Sequence, residues 1–390
     1  MLYEKTHSIL KKAIDNGDVA GANVLVIKGG EEKLYCEYGY RDIENKKPIT
    51  RDTIFRLYSQ TKPITAAAAV LLISQGEIEL NTEISKYLPE FSVPCLEMYG
   101  NRKPVQKPIT VRDLLNMTSG IPYPDDSSVG GRQSAMVFDE IIRRLYSDSP
   151  VTTAEFSENM SNVALCFEPG ERFMYGASAD IMGALIEKVT GKSFGTYLRE
   201  NFFVPLEMND TDFYVPSEKQ DRLAKIYNYS EYGLIECATN HLGLRYDRAV
   251  PAAFESGGAG LCSTLDDYSH FGEMLLNGGT YKGRTIMPKA AVDFLTRCRL
   301  PQEKLWQFHE WWDWMDGYSY GNFMRVCEDE SKTSLFSSKG EYGWDGWLGT
   351  FFSNEPEHGI TLLFGVQQVG VGKAGNIVRK IKNAVMSELV

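Results

Sequence analysis

Apolar positions recur at helical spacing at both ends of the chain. Leu2, Ile9, Leu10 and Ile14 share one side of residues 1–18, and Ile377, Val378, Ile381, Val385 and Met386 do the same in a final amphipathic segment. Inside these ends the pattern changes to strands. Residues 22–28 and 33–40 are β-branched or aromatic runs around Gly29-Gly30, which predicts a hairpin. Strand patterns return at 318–326, 341–345, 348–353 and 360–366, separated by short polar turns such as Glu355-Pro356-Glu357-His358-Gly359. The middle reads differently: 111–117, 135–146, 179–189 and 265–276 are helical, and Thr110 before Asp113 and Thr264 before Asp267 place a capping hydroxyl ahead of an acid. The predicted fold is α+β, an antiparallel sheet flanked by helices and built from residues 1–80 and 255–390. A mainly helical domain is inserted at 81–254.

Between the first hairpin and the helical region, residues 55–72 (FRLYSQTKPITAAAAVLL) read as a buried helix. Four successive alanines allow close approach of neighbours, and Pro63 is tolerated only in a first turn, where backbone N–H groups lack helical partners. The helix is therefore expected to start at about Ser59. Lys62 then projects from the same face one turn on, within reach of the Ser59 hydroxyl. An alcohol is a poor nucleophile near neutral pH, and a lysine whose pKa is lowered by burial can serve as its base. Alone, Ser-x-x-Lys is a weak signal, because a serine at a helix start is usually a cap.

The surroundings sharpen it. Residues 51–91, 109–123 (ITVRDLLNMTSGIPY), 168–191 (EPGERFMYGASADIMGALIEKVTG), 256–279 and the run Tyr342-Gly343-Trp344-Asp345-Gly346-Trp347 resemble, in order, the signature segments of the serine β-lactamase and penicillin-recognising enzyme superfamily. The resemblance, to its class C-like members, implies an α/β sandwich plus a helical domain with the active site between them. It implies Ser59 as nucleophile, Lys62 as the lysine of the first motif, and Tyr175 as a phenol of lowered pKa that takes the serine proton and passes it on. It implies an oxyanion hole made by the backbone N–H groups of Ser59 and Trp347. Trp344, Asp345 and Gly346 hold the place of the usual Lys-Thr-Gly and are the expected substrate-binding residues, with Gly346 leaving room for a substrate at the strand.

Two departures narrow the activity. The second motif, usually Tyr-x-Asn, is Tyr175-Gly176-Ala177, and the lysine of the third motif is Trp344. With Tyr175, Asp180 and Gly183 spaced as they are, the chain looks most like the esterase branch, which implies small or medium carboxylic esters, or amides without a fixed carboxylate. A β-lactamase or D-alanyl carboxypeptidase or aminopeptidase is the first alternative; a non-catalytic binding or scaffolding member of the same fold is the second.

Composition adds exclusions. Net charge is −11 with scattered Lys and Arg, so no basic stripe is offered to nucleic acid. The first residues lack a signal-peptide core, and the apolar stretch 64–73 is half of the roughly 20 residues a membrane span requires. A cytoplasmic protein without a membrane partner is expected. Seven dispersed cysteines suggest buried free thiols, and the dispersed histidines, His309-Glu310 included, predict no metal site and no cofactor. All six tryptophans lie between Trp306 and Trp347, which suggests an aromatic lip on the substrate pocket. Oligomeric state is left open by the sequence.

Overall fold

The structure, a computed structural model, describes residues 1–390 except Cys298 and Val371. The predicted hairpin is present as β1 (Gly21–Lys28) and β2 (Glu31–Asp42), and a short edge strand, β3 (Lys47–Pro48), follows. The other end of the chain supplies β4 (Tyr318–Gly321), β5 (Met324–Cys327), β6 (Tyr342–Asp345), β7 (Phe351–Glu355) and β8 (Ile360–Gly365). They form one sheet in the order β4-β5-β6-β7-β8-β1-β2-β3, antiparallel throughout. The two ends of the chain meet at the β1–β8 seam, where Asn23 faces Gly365 and Lys28 faces Ile360.

Alternation along β1 shows why both faces are covered. Val24 and Val26, with Leu362 and Phe364 of β8, pack on the terminal helices Leu2–Asp15 and Gly372–Leu389 through Leu10, Ile377, Ile381 and Val385. Leu25 and Ile27 join the larger core on the opposite face, with the alanines of helix Lys62–Gln75 and Phe271 of helix Leu265–Leu276. Apolar residues at successive positions are what a strand buried on both faces requires.

Two strand boundaries differ from the sequence pattern. The expected strand 318–326 is a hairpin, β4–β5, turning at Asn322-Phe323 with φ of 49° and 61°. A two-residue turn with both φ positive matches sheet twist but ordinarily asks for glycine. Here tertiary bonds hold it: Asn322 Nδ2 donates to the Phe294 carbonyl at 2.9 Å, and Phe323 N to the Leu115 carbonyl at 3.0 Å. The expected strand 348–353 begins later, at Phe351, because residues 346–349 make a turn closed by a bond from Gly349 N to the Gly346 carbonyl.

The helical region contains Val111–Leu115, Val129–Arg144, Thr153–Ser161 and Ser178–Thr190, the first started by the predicted capping box of Thr110 and Asp113. It also holds two small hairpins, Cys95–Met98 with Asn101–Pro104 and Tyr227–Ser230 with Gly233–Glu236. Among the described residues no helix is long and apolar enough to cross a membrane. Cys36, Cys262 and Cys327 are buried free thiols, whereas Cys95, Cys166 and Cys237 are free but only half-buried. Cys298 lies outside the described residues.

Candidate active site

Ser59 sits in a 3-10 turn, Tyr58–Thr61, that runs directly into helix Lys62–Gln75. The α-helix proper therefore starts three residues later than expected, with Pro63 in its first turn. The turn is fastened at several points. Tyr58 adopts φ 45° and is buried, the Tyr268 hydroxyl donates to the Gln60 carbonyl at 2.9 Å, and Leu261 N donates to Thr61 Oγ1 at 3.1 Å.

Lys62 is fully buried. Its Nζ lies 3.2 Å from Ser59 Oγ, 3.2 Å from the Tyr123 hydroxyl and 2.8 Å from the Gly258 carbonyl. Burial pushes the amine down to about 7, against the pull of Asp180 toward the charged form. Tyr123 in turn donates to Asp180 Oδ2 at 3.1 Å, while Asp180 Oδ1 accepts from Ser256 Oγ at 2.5 Å and Gly258 N at 3.1 Å. Burial raises the Asp180 carboxyl above its usual value, and Lys62 and these three donors oppose the rise.

Tyr123 and Asp180 both fall in the segments that resemble the superfamily, but no local spacing links either to Lys62. Three features assemble them. Tyr123 follows an antiparallel bridge between Pro122 and Gly176, which lays its segment beside that of Tyr175. Asp180 occupies the first turn of helix Ser178–Thr190. Gly258 lets its loop pass between them, since a Cβ there would meet the Tyr123 hydroxyl at 2.4 Å and Asp180 Oδ2 at 2.5 Å.

Tyr175 lies beside Lys62, whose Nζ is 4.7 Å from the ring centroid, and it interacts with Ser59. Trp344 Nε1 donates to the Tyr175 hydroxyl at 2.9 Å. The expected lowered pKa is not what this environment produces. Burial pushes the phenol above its ordinary value, outweighing the bonds to Ser59 and Trp344, so Tyr175 is neutral at neutral pH and able to donate.

Trp344, Asp345 and Gly346, the residues expected to bind substrate, all border the cleft that holds Ser59. Trp344 is buried, with its indole N–H engaged by Tyr175. Asp345 pairs with Arg325 Nη1 at 2.7 Å, its carboxylate still partly exposed toward the cleft. Gly346 edges the cleft, yet the space its missing side chain frees is already occupied: a Cβ would meet the Leu57 carbonyl at 2.3 Å and Thr350 Oγ1 at 2.2 Å. Glycine is needed here for β6 to close on the segment that carries Ser59. Trp347 stacks on His241 with centroids 4.0 Å apart and tilts against Tyr58 at 5.1 Å.

Ser59, Tyr175, Trp312, Trp314, Trp344 and Trp347 line a cleft of about 430 Å³. Four of the six tryptophans thus border this cleft. Trp306 and Trp311 are exposed outside the cleft, and Trp312 meets the Tyr175 ring edge-on at 5.1 Å.

Known proteins resemble this chain over nearly its whole length. The family model described as Beta-lactamase matches residues 7–381. Esterase EstB of Burkholderia gladioli is 25% identical over 404 aligned positions, spanning 98% of this chain and 95% of its own. The protein MT1414 of Mycobacterium tuberculosis is 29% identical over 377 positions, 94% of this chain and 90% of its own. Among solved structures, EstCE1, described as a hydrolase with promiscuous acyltransferase activity, superposes with a TM-score of 0.83 at 26% identity, covering 99% of this chain and 98% of its own.

Proposed function

We propose, from the premise that the chain belongs to the β-lactamase family and is a serine hydrolase of that fold, that it hydrolyses small or medium carboxylic esters through an acyl-enzyme on Ser59. The observation that carries the reading is the hydrogen-bond arrangement at Lys62. The Gly258 carbonyl can only accept, and the Tyr123 hydroxyl spends its own proton on Asp180, so both take a hydrogen from Nζ. A neutral amine has two hydrogens and one lone pair. With both hydrogens so committed, the lone pair is left for the Ser59 hydroxyl, 3.2 Å away.

In this mechanism Ser59 Oγ passes its proton to Lys62 as it bonds to the ester carbonyl carbon. The carbonyl oxygen becomes an oxyanion facing the backbone N–H groups of Ser59 and Trp347. The tetrahedral species collapses, the C–O bond to the alcohol breaks, and the departing oxygen takes back the proton held by Lys62 by way of the Tyr175 hydroxyl. Water then enters by the reverse proton path and releases the carboxylic acid and free Ser59. Asp180 and Tyr123 position Lys62 rather than touch substrate.

Esters are favoured over β-lactams because the cleft offers neither the amide nor the lysine that orients a penicillin: Ala177 is fully buried, and Trp344 stands in the third motif. The name of Esterase EstB is consistent with this reading. The test is intact-mass spectrometry with p-nitrophenyl butyrate, together with steady-state kinetics. The expected outcome is a butyryl adduct on the wild type that Ser59→Ala lacks, loss of turnover in that variant, and kcat/KM for the ester above that for nitrocefin. A variant retaining most turnover removes Ser59 as nucleophile; nitrocefin as the better substrate overturns the ester preference.

A further inference from the structure

The two donors proposed for the oxyanion hole come from separate segments, Ser59 from the turn before helix Lys62–Gln75 and Trp347 from the turn that follows β6. Their separation must therefore be set by packing. Behind them lies a small core of its own, in which Tyr58, next to Ser59, and Leu348, next to Trp347, pack with Ile226, Leu244 and Ala259. All five are buried.

Leu244 reaches this core from a tight turn, residues 241–244. His241 N donates to the Leu244 carbonyl at 3.3 Å, and Leu244 N returns a bond to the His241 carbonyl at 3.0 Å. The two residues between them carry positive φ, 49° at Leu242 and 70° at Gly243, so the ends of the turn stand side by side. Gly243 lies close against helix Val129–Arg144, where a Cβ would meet Ile141 Cγ2 at 2.9 Å. At the base of the loop Tyr246 N donates to Asn240 Oδ1 at 2.8 Å and Arg56 Nε donates to the Tyr246 carbonyl at 2.8 Å, which fastens the loop to the segment leading into Ser59.

His241, at the other end of the turn, lays its ring flat on the Trp347 indole, with centroids 4.0 Å apart and planes 17° from parallel. Tyr58 closes the group, 5.7 Å from His241 and 5.1 Å from Trp347 and tilted to both. Trp347 lines the cleft and is 37% exposed, whereas His241 is not part of the cleft wall. The histidine thus touches the side chain of Trp347 without meeting the space for substrate. Its Nδ1 is buried with no hydrogen-bond partner among the described residues, and burial pushes the imidazole down to about 4. At neutral pH it is an uncharged flat ring.

We propose, building on the acyl-enzyme reading of Ser59, that His241 is a positioning residue for ester hydrolysis: stacked on Trp347 and braced by Tyr58, it holds the Trp347 backbone N–H at the distance from Ser59 N that an oxyanion needs. Oxyanion contacts strengthen as the tetrahedral species forms, so a displaced donor lowers kcat and leaves substrate binding nearly intact.

The test combines ester kinetics and thermal melting with inhibition by butylboronic acid, which bonds to a serine oxygen as a tetrahedral anion and so reports on the oxyanion hole. His241→Ala should lower kcat for p-nitrophenyl butyrate about tenfold or more, keep KM within about threefold of wild type, and weaken butylboronic acid about tenfold or more. His241→Phe restores a flat ring and should recover most of kcat and of the boronate affinity. His241→Leu fills the space without a flat face; it should fall as the alanine variant does, and it decides the matter if that variant does not fold. Wild-type kcat or boronate affinity in a folded alanine or leucine variant overturns the positioning role, as does a phenylalanine variant no better than alanine or a rise in KM that accounts for the whole loss. Absence of a butyryl adduct on Ser59 of the wild type overturns the acyl-enzyme reading and this role with it, whereas a normal adduct beside unchanged kcat in His241→Ala overturns this role alone.

Discussion

Lys62 is held between two opposing influences: burial drives its amine toward the neutral form, and the Asp180 charge, acting across Tyr123, draws it back toward the ammonium. Because the base must be unprotonated to accept the serine proton, kcat/KM is expected to rise with pH through about 7. Asp180→Asn removes the influence that favours the ammonium, so the acid limb of the profile should shift to lower pH even as the rate falls. A shift to higher pH would contradict this account of Lys62. Tyr175→Phe keeps the ring packed against Trp312 and removes only the hydroxyl; a fall in kcat of roughly 10²- to 10⁴-fold at unchanged Tm is expected, measured by ester turnover and thermal melting. Loss of stability and activity together would make the hydroxyl a structural bond. The Ser59 and Lys62 pair was legible in the sequence because one helical turn brings it together. Tyr123 was not: it meets Lys62 across 61 residues and Asp180 across 57, and no local spacing records a contact made by a bridge and a glycine loop.

At the scale of the element, β6 and the turn before helix Lys62–Gln75 behave as one unit, since the Gly346 backbone rests against the Leu57 carbonyl two residues ahead of Ser59. Gly346→Ala adds a methyl that both the Leu57 carbonyl and the Thr350 hydroxyl exclude. It is expected to cost about 1–3 kcal/mol of stability as overpacking, read by urea denaturation. It should also lower kcat at least tenfold by moving β6 away from Ser59. An alanine variant with wild-type turnover would show that the strand position is not critical. The terminal helices, the first hairpin and the central strands were readable because their burial follows the simple periods of helix and strand. The β4–β5 turn was hidden because Asn322-Phe323 carries no glycine, and its positive φ values are imposed by bonds from outside the hairpin. Helix Gln302–Trp311 escaped for a related reason: its large aromatics are shared between surface and core, with Trp306 exposed and Phe308 buried, and leave no clean apolar stripe.

Across the whole molecule, a buried ionic cluster ties the sheet to the last helix. Lys382 lies 3.2 Å from Glu341 and 3.0 Å from Glu355, Arg325 bridges Glu341 and Asp345, and the chain of contacts thereby reaches the cleft that holds Ser59. Lys382→Met leaves two carboxylates facing each other without their shared cation, which should cost about 3–5 kcal/mol at neutral pH. Burial already holds the Glu355 carboxyl above its ordinary value against the pull of Lys382, and loss of the lysine raises the pKa values of Glu341 and Glu355 further. The native state then binds the extra protons as pH falls, so the deficit should narrow toward pH 5. Urea denaturation of wild type and variant at both pH values measures it, and a deficit that widens on acidification would contradict the assignment. The β1–β8 seam has a consequence in time rather than in energy. Residues 23–28 must wait for residues 360–365 before the middle of the sheet can pair, a separation of most of the chain. During synthesis the first hairpin therefore emerges with an open edge, and β6 cannot join it in one sheet until residues 360–365 have been made. Closure of the sheet therefore waits on its last strand, and the exposed edge of β1 marks where a nascent chain would call on a chaperone.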